Sequence, residues 1–277
     1  MRELPEVEVL RRDLEREVIG KKVKSVEVKS MATIGRYNNR KAFVSQLEGA
    51  KVVSVTRRGL YLLFGLDEDR VLVFALGTGG QLRRAGGKDP GLEAPEVTIA
   101  FTQGGALHFG DTATGAEVFC TTNDELKGAL PALSSMGIDP VDEPMAWTRF
   151  ADLVLRRSTK LKTLLTDPTL LAGIGEMYAD EILFQAGLRH DRMSNTLSSQ
   201  EVRRLYRAVI ETLHDAIKYR GTTLAENPFA DLVGKQGEYQ EHLAVYGREG
   251  QLSPRSRAPI QRVKFEGRWT YFCETQV

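Results

Sequence analysis

From residue 52 to residue 120 the apolar residues come in short β-branched or aromatic runs; after residue 148 they come at helical spacing. The runs are Val52-Val53-Ser54-Val55, Tyr61-Leu62-Leu63-Phe64, Val71-Leu72-Val73-Phe74, Val97-Thr98-Ile99-Ala100-Phe101 and Glu117-Val118-Phe119-Cys120, separated by Gly, Asp and Asn. Runs of that length bounded by turn residues predict an antiparallel sandwich or barrel. One helix precedes them, because residues 4, 7, 10, 14 and 18 are apolar, Pro5 suits a first turn and Gly20 a stop.

Pro131 to Pro144 is rich in Ser, Gly, Pro and Asp and reads as a linker. Beyond it, Ser198-x-x-Glu201 is a capping box opening a helix with Val202, Leu205, Val209, Leu213 and Ile217 on one face. The tail reads as a hairpin: Pro259–Phe265, a Glu266-Gly267 turn, then Arg268–Thr275. The expected fold class is α+β. A β-sandwich with one helix spans residues 1–130, a linker 131–147, and a helical domain with a C-terminal β-hairpin 148–277.

Composition excludes several classes. No apolar run approaches the roughly 20 residues that span a bilayer, and the opening residues form no apolar signal segment, so a cytoplasmic protein is expected. The two cysteines, Cys120 and Cys273, cannot build a disulfide framework or a cysteine-rich metal cage. A net charge of +1 gives no general signal for nucleic acid. Locally, however, Arg248, Arg255, Arg257, Arg262, Lys264 and Arg268 face only Glu249 and Glu266, a balance of +4 over residues 248–268.

The most informative stretch is Leu164 to Phe184. Asp167-Pro168 breaks one helix, and Gly173-Ile174-Gly175 makes a tight turn that opens the next. A turn of this kind lets a phosphate approach backbone N–H groups at a helix N-terminus, though a Gly-x-Gly before a helix is by itself more often only a turn.

In context this stretch resembles the helix–two-turn–helix of the formamidopyrimidine-DNA glycosylase / endonuclease VIII family. Glu3-Leu4-Pro5-Glu6-Val7-Glu8, Arg57-Arg58-Gly59, Gly221-Thr222-Thr223, Val245-Tyr246-Gly247-Arg248-Glu249-Gly250 and Gly267-Arg268-x-Thr270-x-Phe272-Cys273 resemble it too, in order along nearly the whole chain. The resemblance implies an N-terminal β-sandwich, a helix–two-turn–helix domain with a β-hairpin, and a monomer that binds damaged double-stranded DNA. It implies catalytic roles for Glu3 and Glu6, and DNA contacts from Lys162, Gly173, Gly175, Tyr246 and Arg268.

The departures are as specific. The family's nucleophilic proline is Arg2 here, which puts the Met1 amine one residue off register, and its second lysine is Leu60. Strand cleavage through an iminium therefore does not carry over, whereas hydrolysis of the N-glycosidic bond with Glu3 as acid/base does. A phosphate-clamping histidine becomes Ala75, and an intercalating methionine becomes Thr78. The loop that fills the hole left by an everted base becomes Asp111-Thr112-Ala113-Thr114-Gly115-Ala116, and a phosphate-binding asparagine becomes Glu176. The four zinc-binding cysteines correspond to Ser253, Ser256, Cys273 and Gln276, so a zincless hairpin with no cofactor is expected. Three functions fit: a hydrolytic glycosylase for a damaged or bulky base acting at the nucleoid, a binder of damaged DNA without catalysis, or a protein–protein adaptor.

Overall fold

The structure is a computed structural model describing residues 2–142, 144–226 and 228–277. The Met1 amine therefore lies outside the described residues, as does residue 143 of the expected linker. Two compact units emerge: Met1–Ser135 with Arg220–Gly237, and Met136–Tyr219 with Glu238–Val277.

In the first unit, helix α1 (Leu4–Val18) precedes β1 (Val23–Val28), α2 (Arg40–Val44), β2 (Val52–Arg58), β3 (Tyr61–Leu66), β4 (Arg70–Ala75) and β5 (Gly80–Gly86). Then come β6 (Asp89–Pro90), β7 (Val97–Phe101), β8 (Ala106–Asp111), β9 (Glu117–Thr122), α3 (Asn123–Ala129) and α4 (Ala132–Ser135). The strands form two antiparallel sheets, ordered β1-β7-β8-β5-β6 and β2-β3-β4-β9. Alternation buries Leu62, Phe64 and Leu66 on β3 and Val97, Ile99 and Phe101 on β7. Phe74 joins the sheets, its ring 5.1 Å from Phe64 and 5.3 Å from Phe109, as a sandwich core requires. Every strand run read from the sequence is a strand.

The second unit holds α5 (Trp147–Leu155), α6 (Leu161–Thr166), α7 (Glu176–Ala186), α8 (Ser199–Lys218) and the hairpin β10 (Gln261–Phe265) and β11 (Arg268–Phe272). Ser198 and Glu201 cap α8 reciprocally, and all five apolar residues expected on its inner face are buried. The hairpin turn puts both Glu266 (φ 49°) and Gly267 (φ 82°) in the left-handed region, the signature of a type I′ turn. The α+β class and the hairpin are as expected.

The boundaries differ from those read from sequence, for two reasons. Residues 136–147 are not all linker, because Ile138 is buried and exchanges backbone hydrogen bonds with Leu170 and Ala172. Residues 220–237 belong to the first unit because polar contacts hold them there. The Arg220 guanidinium binds Asp13 on α1 and Asp231, and Arg83 Nη1 donates to the Ala230 carbonyl at 2.8 Å. Charged side chains reaching across more than a hundred residues leave no periodic signal. Among the described residues no helix is long and apolar enough to cross a membrane.

Candidate nucleic-acid interface

In the first unit the start of α1 is fixed by buried charge. Glu6 is fully buried; its carboxylate accepts from the Glu3 N–H at 3.1 Å and the Thr222 N–H at 2.8 Å. Gly221 (φ +80°) allows this approach, since a Cβ there would lie 3.0 Å from Glu6 Oε1. Glu3 is the N-cap of α1 and is 5% exposed. One turn on, Glu8 ties Arg57 of β2 to α1 at 3.0 Å and also binds Arg11 and Arg12, and these cations hold its carboxyl below the usual range against the effect of burial. Glu8 and Arg57 are the framework of this site. Sequence reading passed over their pairing, and its signal would have been two charged residues on otherwise inward-facing positions.

Arg2 is buried as well. Its Nη1 donates to the Pro228 carbonyl at 2.8 Å and its guanidinium lies 5.4 Å from the Phe229 ring centroid. Burial lowers its proton affinity, with Glu6 opposing that effect and Arg83 adding to it. The side chain at the nucleophile position thus braces the 220–237 segment.

Elsewhere in the sandwich two loops of small residues meet each other. Thr112 N–H donates to the Gly79 carbonyl, and Asp111 accepts from the Ala113 and Ala116 N–H groups. A Cβ on Gly79 would sit 2.4 Å from Ala113 N, so glycine alone permits this backbone approach. Thr78, Thr112 and Thr114 are exposed at the rim.

In the second unit Gly173 (φ +82°) makes the turn before α7, and Gly175 caps that helix in an extended conformation. The first helical residue is Glu176. Its carboxylate is taken by two cations: Lys162 Nζ at 3.0 Å from Oε2 and Arg268 Nη1 at 2.8 Å from Oε1. Lys162 is 1% exposed and donates to Asp180 at 2.7 Å, Thr270 Oγ1 at 2.7 Å and the Trp269 carbonyl at 3.3 Å. Burial pushes the Asp180 carboxyl up while Lys162 and the Tyr271 N–H pull it down. A cavity of about 250 Å³ opens between Lys162, Thr166, Glu176, Phe265 and Arg268.

Family models match both parts of the chain: the formamidopyrimidine-DNA glycosylase N-terminal domain over residues 1–118 and the formamidopyrimidine-DNA glycosylase H2TH domain over residues 136–227. The formamidopyrimidine-DNA glycosylase of Pelotomaculum thermopropionicum is 37% identical over 275 residues, 99% of this chain and 98% of that protein. The chain belongs to the formamidopyrimidine-DNA glycosylase family. Among solved structures, the MutM (Fpg) protein of Thermus thermophilus superposes with a TM-score of 0.84 at 34% identity, covering 99% of this chain and 97% of that one. The Lactococcus lactis Fpg bound to DNA with an abasic site superposes with a TM-score of 0.84 at 30% identity, covering 98% and 97%.

Within this formamidopyrimidine-DNA glycosylase scaffold the structure brings Lys162 and Arg268 together, and it adds Glu176 between them. Tyr246 sits a layer away. Its N–H donates to Glu181 at 2.8 Å and its ring packs 5.0 Å from Tyr271. Glu181, which sequence reading missed, also accepts from the Ala244 and Val245 N–H groups, so one buried carboxylate shapes the 244–246 loop; burial pushes its affinity for protons up. The four positions of the family's zinc site bind one another instead. Cys273 Sγ lies 2.9 Å from Ser256 Oγ, and Gln276 Oε1 accepts from the Cys273 N–H. Burial opposes ionisation of this thiol, yet hydrogen bonds from Ser253 and Ser256 bring it down to about 7. Among the described residues no three His, Cys, Asp or Glu side chains cluster as metal ligands would.

Proposed function

We propose that this protein is a DNA N-glycosylase that acts on damaged double-stranded DNA as a cytoplasmic, nucleoid-associated monomer, releasing a damaged or bulky base by hydrolysis. The observation that carries this reading is the placement of Glu3: a buried carboxylate-bearing N-cap whose backbone is fixed by Glu6 at 3.1 Å. In the reaction, a water oxygen bonds to the sugar C1′ as the C1′–N bond breaks. Glu3 takes the proton from that water, and the base, which leaves with the electron pair, takes up that proton from Glu3. Glu6 acts as a positioning residue, through its bonds to the N–H groups of Glu3 and Thr222. Lys162, Tyr246, Arg268 and the Gly173–Gly175 turn supply the DNA contacts of the second unit. The exposed threonines at 78, 112 and 114 offer little to fill a duplex and leave room beside a large lesion.

The Arg2 brace favours a second reading, a damaged-DNA binder without catalysis, because the residue that stands in place of the nucleophilic proline has a structural role, its guanidinium lying on Pro228 and Phe229. One assay separates the two. Duplexes carrying a panel of base lesions are incubated with the protein and scored for released base and for binding. Base release supports the glycosylase; binding with no release on any substrate replaces it with the binder. Borohydride added to the same reactions should trap no covalent complex, since Arg2 and Leu60 replace the family's amines, and trapping would restore the iminium route.

A further inference from the structure

The register of the C-terminal hairpin sorts its side chains onto two faces. Arg262 pairs with Tyr271 and Lys264 with Trp269, and paired residues share a face. The opposite face carries the buried Thr270 and Phe272, 0% and 3% exposed, and on the first face Tyr271 packs against Tyr246. Phe265 and Phe272 place their rings 5.1 and 5.0 Å from His190. The hairpin is thus anchored without help from Trp269.

Trp269 is 44% exposed, and among the described residues it is the aromatic in a set of exposed large apolar side chains that are otherwise Ile, Leu and Val. An indole left half in water beside a packed neighbour is unusual, because aromatic rings gain most from burial. It is also held in place. The Arg262 guanidinium carbon lies 4.1 Å from the ring centroid and Lys264 Nζ 5.4 Å from it, and Glu249 fixes Arg262 from behind at 2.9 Å. The ring therefore stands fixed directly after a segment, residues 248–268, that carries six basic residues against two acidic ones.

We propose that Trp269 is a base-stacking platform that gives this protein a binding site for single-stranded DNA, with Arg262 and Lys264 facing the phosphates on either side of the stacked base. An aromatic face beside cations is the combination that binds unpaired nucleotides: every base offers a π-face, and the backbone charge needs neutralising. The bases of an intact duplex already stack on one another, so a stacking site discriminates in favour of unpaired nucleotides. This site is independent of base release, and duplex binding through Lys162 and Arg268 does not require it.

The chain has two tryptophans, so Trp147→Phe leaves Trp269 as the sole tryptophan, excited apart from the tyrosines. In that background, titration with an oligothymidylate of about ten nucleotides should quench the emission, and a duplex of equal length should quench it less. Trp269→Ala should weaken oligothymidylate binding roughly tenfold or more, while Trp269→Phe keeps most of it and duplex affinity stays within about twofold. Lys264→Gln should flatten the salt dependence of oligothymidylate binding by about 0.7 in log–log slope. Equal affinity of wild type and Trp269→Ala for oligothymidylate overturns the proposal. So does a matching loss of duplex affinity, which would make the ring a support for the hairpin, and so does tighter binding of an oligouridylate, which would assign the platform to RNA. A variant that binds duplex normally but not the single strand supports it even if base release is absent.

Discussion

Arg268 Nη1 donates to Glu176 Oε1 across 2.8 Å, and the other oxygen of that carboxylate lies 3.0 Å from Lys162 Nζ. The carboxylate therefore holds both cations that the family resemblance assigns to the DNA backbone. A helix N-terminus flanked by two cations is a site for an anion, and here the anion comes from the chain itself. The two halves of the grip differ in strength. The Arg268 side chain is 63% exposed, so its pair is of the weak surface kind, whereas Lys162 is buried. A phosphate should displace Glu176 from Arg268 far more readily than from Lys162.

Removing that internal anion should strengthen DNA binding. Glu176→Gln keeps the size and abolishes the charge, freeing Arg268 for a phosphate. Affinity for a duplex should rise by about 1 kcal/mol, roughly fivefold, and the slope of log K against log salt should steepen by about 0.9. A filter-binding or anisotropy titration at several salt concentrations reads both quantities. Unchanged affinity with an unchanged slope would show that DNA does not approach this carboxylate.

Glu181 should prove more important to the second unit than its silence in the sequence suggests. It accepts three backbone N–H groups from residues 244–246 in a buried setting. Glu181→Ala leaves those donors without their acceptor, at a cost of about 3 kcal/mol or more, since each buried donor left unmet costs about 1–3 kcal/mol. Glu181→Gln retains one acceptor oxygen and should lose less. Urea unfolding of the two variants gives the comparison, and equal stability of wild type and Glu181→Ala would refute the assignment.

What the sequence made legible follows from what is periodic in it. The strand runs, the inner face of α8 and the Glu266-Gly267 turn all appear where alternation, helical spacing and turn chemistry put them. The motif matches singled out Glu3, Glu6, Lys162, Tyr246 and Arg268 as candidates. Pairing was not legible: Glu176 with Arg268 is separated by 92 residues, Glu6 with Thr222 by 216, and Arg2 with Pro228 by 226. A residue type predicts charge, and only the fold decides which charge it meets. Glu176 stands where the resemblance puts a phosphate-binding asparagine, and it neutralises the two groups that would attract a phosphate.

His190 should give the second unit a distinct response to acid. It is 4% exposed between two phenylalanine rings, with no hydrogen-bond partner for Nδ1 among the described residues, and burial lowers its pKa to about 4 from an ordinary 6.5; Asp191 opposes that shift and Arg189, Lys162 and Lys160 add to it. Between pH 4 and 6.5 the unfolded chain binds a proton here that the folded chain does not. The stability His190 contributes is thus present above pH 6.5 and is lost as pH falls through that window. His190→Phe keeps an aromatic ring and removes the titration. The stability difference between variant and wild type, measured by urea unfolding from pH 7 to pH 4, should move in favour of the variant as pH drops. A difference independent of pH would mean that His190 titrates normally.

Glu3 carries the proposed chemistry, and its test is the sharpest. In the proposed reaction the attacking group is water, and water needs a base beside the sugar. Glu6 accepts two backbone N–H groups and Glu8 pairs with three arginines, while the Glu3 carboxylate accepts the Glu6 N–H in a capping box; Glu3 is assigned the proton because the family resemblance puts the acid/base at position 3. Loss of a general acid or base costs about 10²–10⁴ in rate. Glu3→Gln preserves size and hydrogen bonding while abolishing proton transfer, so single-turnover base release should fall by that factor with affinity for the damaged duplex nearly unchanged. Arg268→Ala should do the reverse, weakening binding while leaving the rate on saturating enzyme close to wild type. If Glu3→Gln releases base as fast as wild type, the base lies elsewhere and the mechanism proposed for Glu3 is wrong.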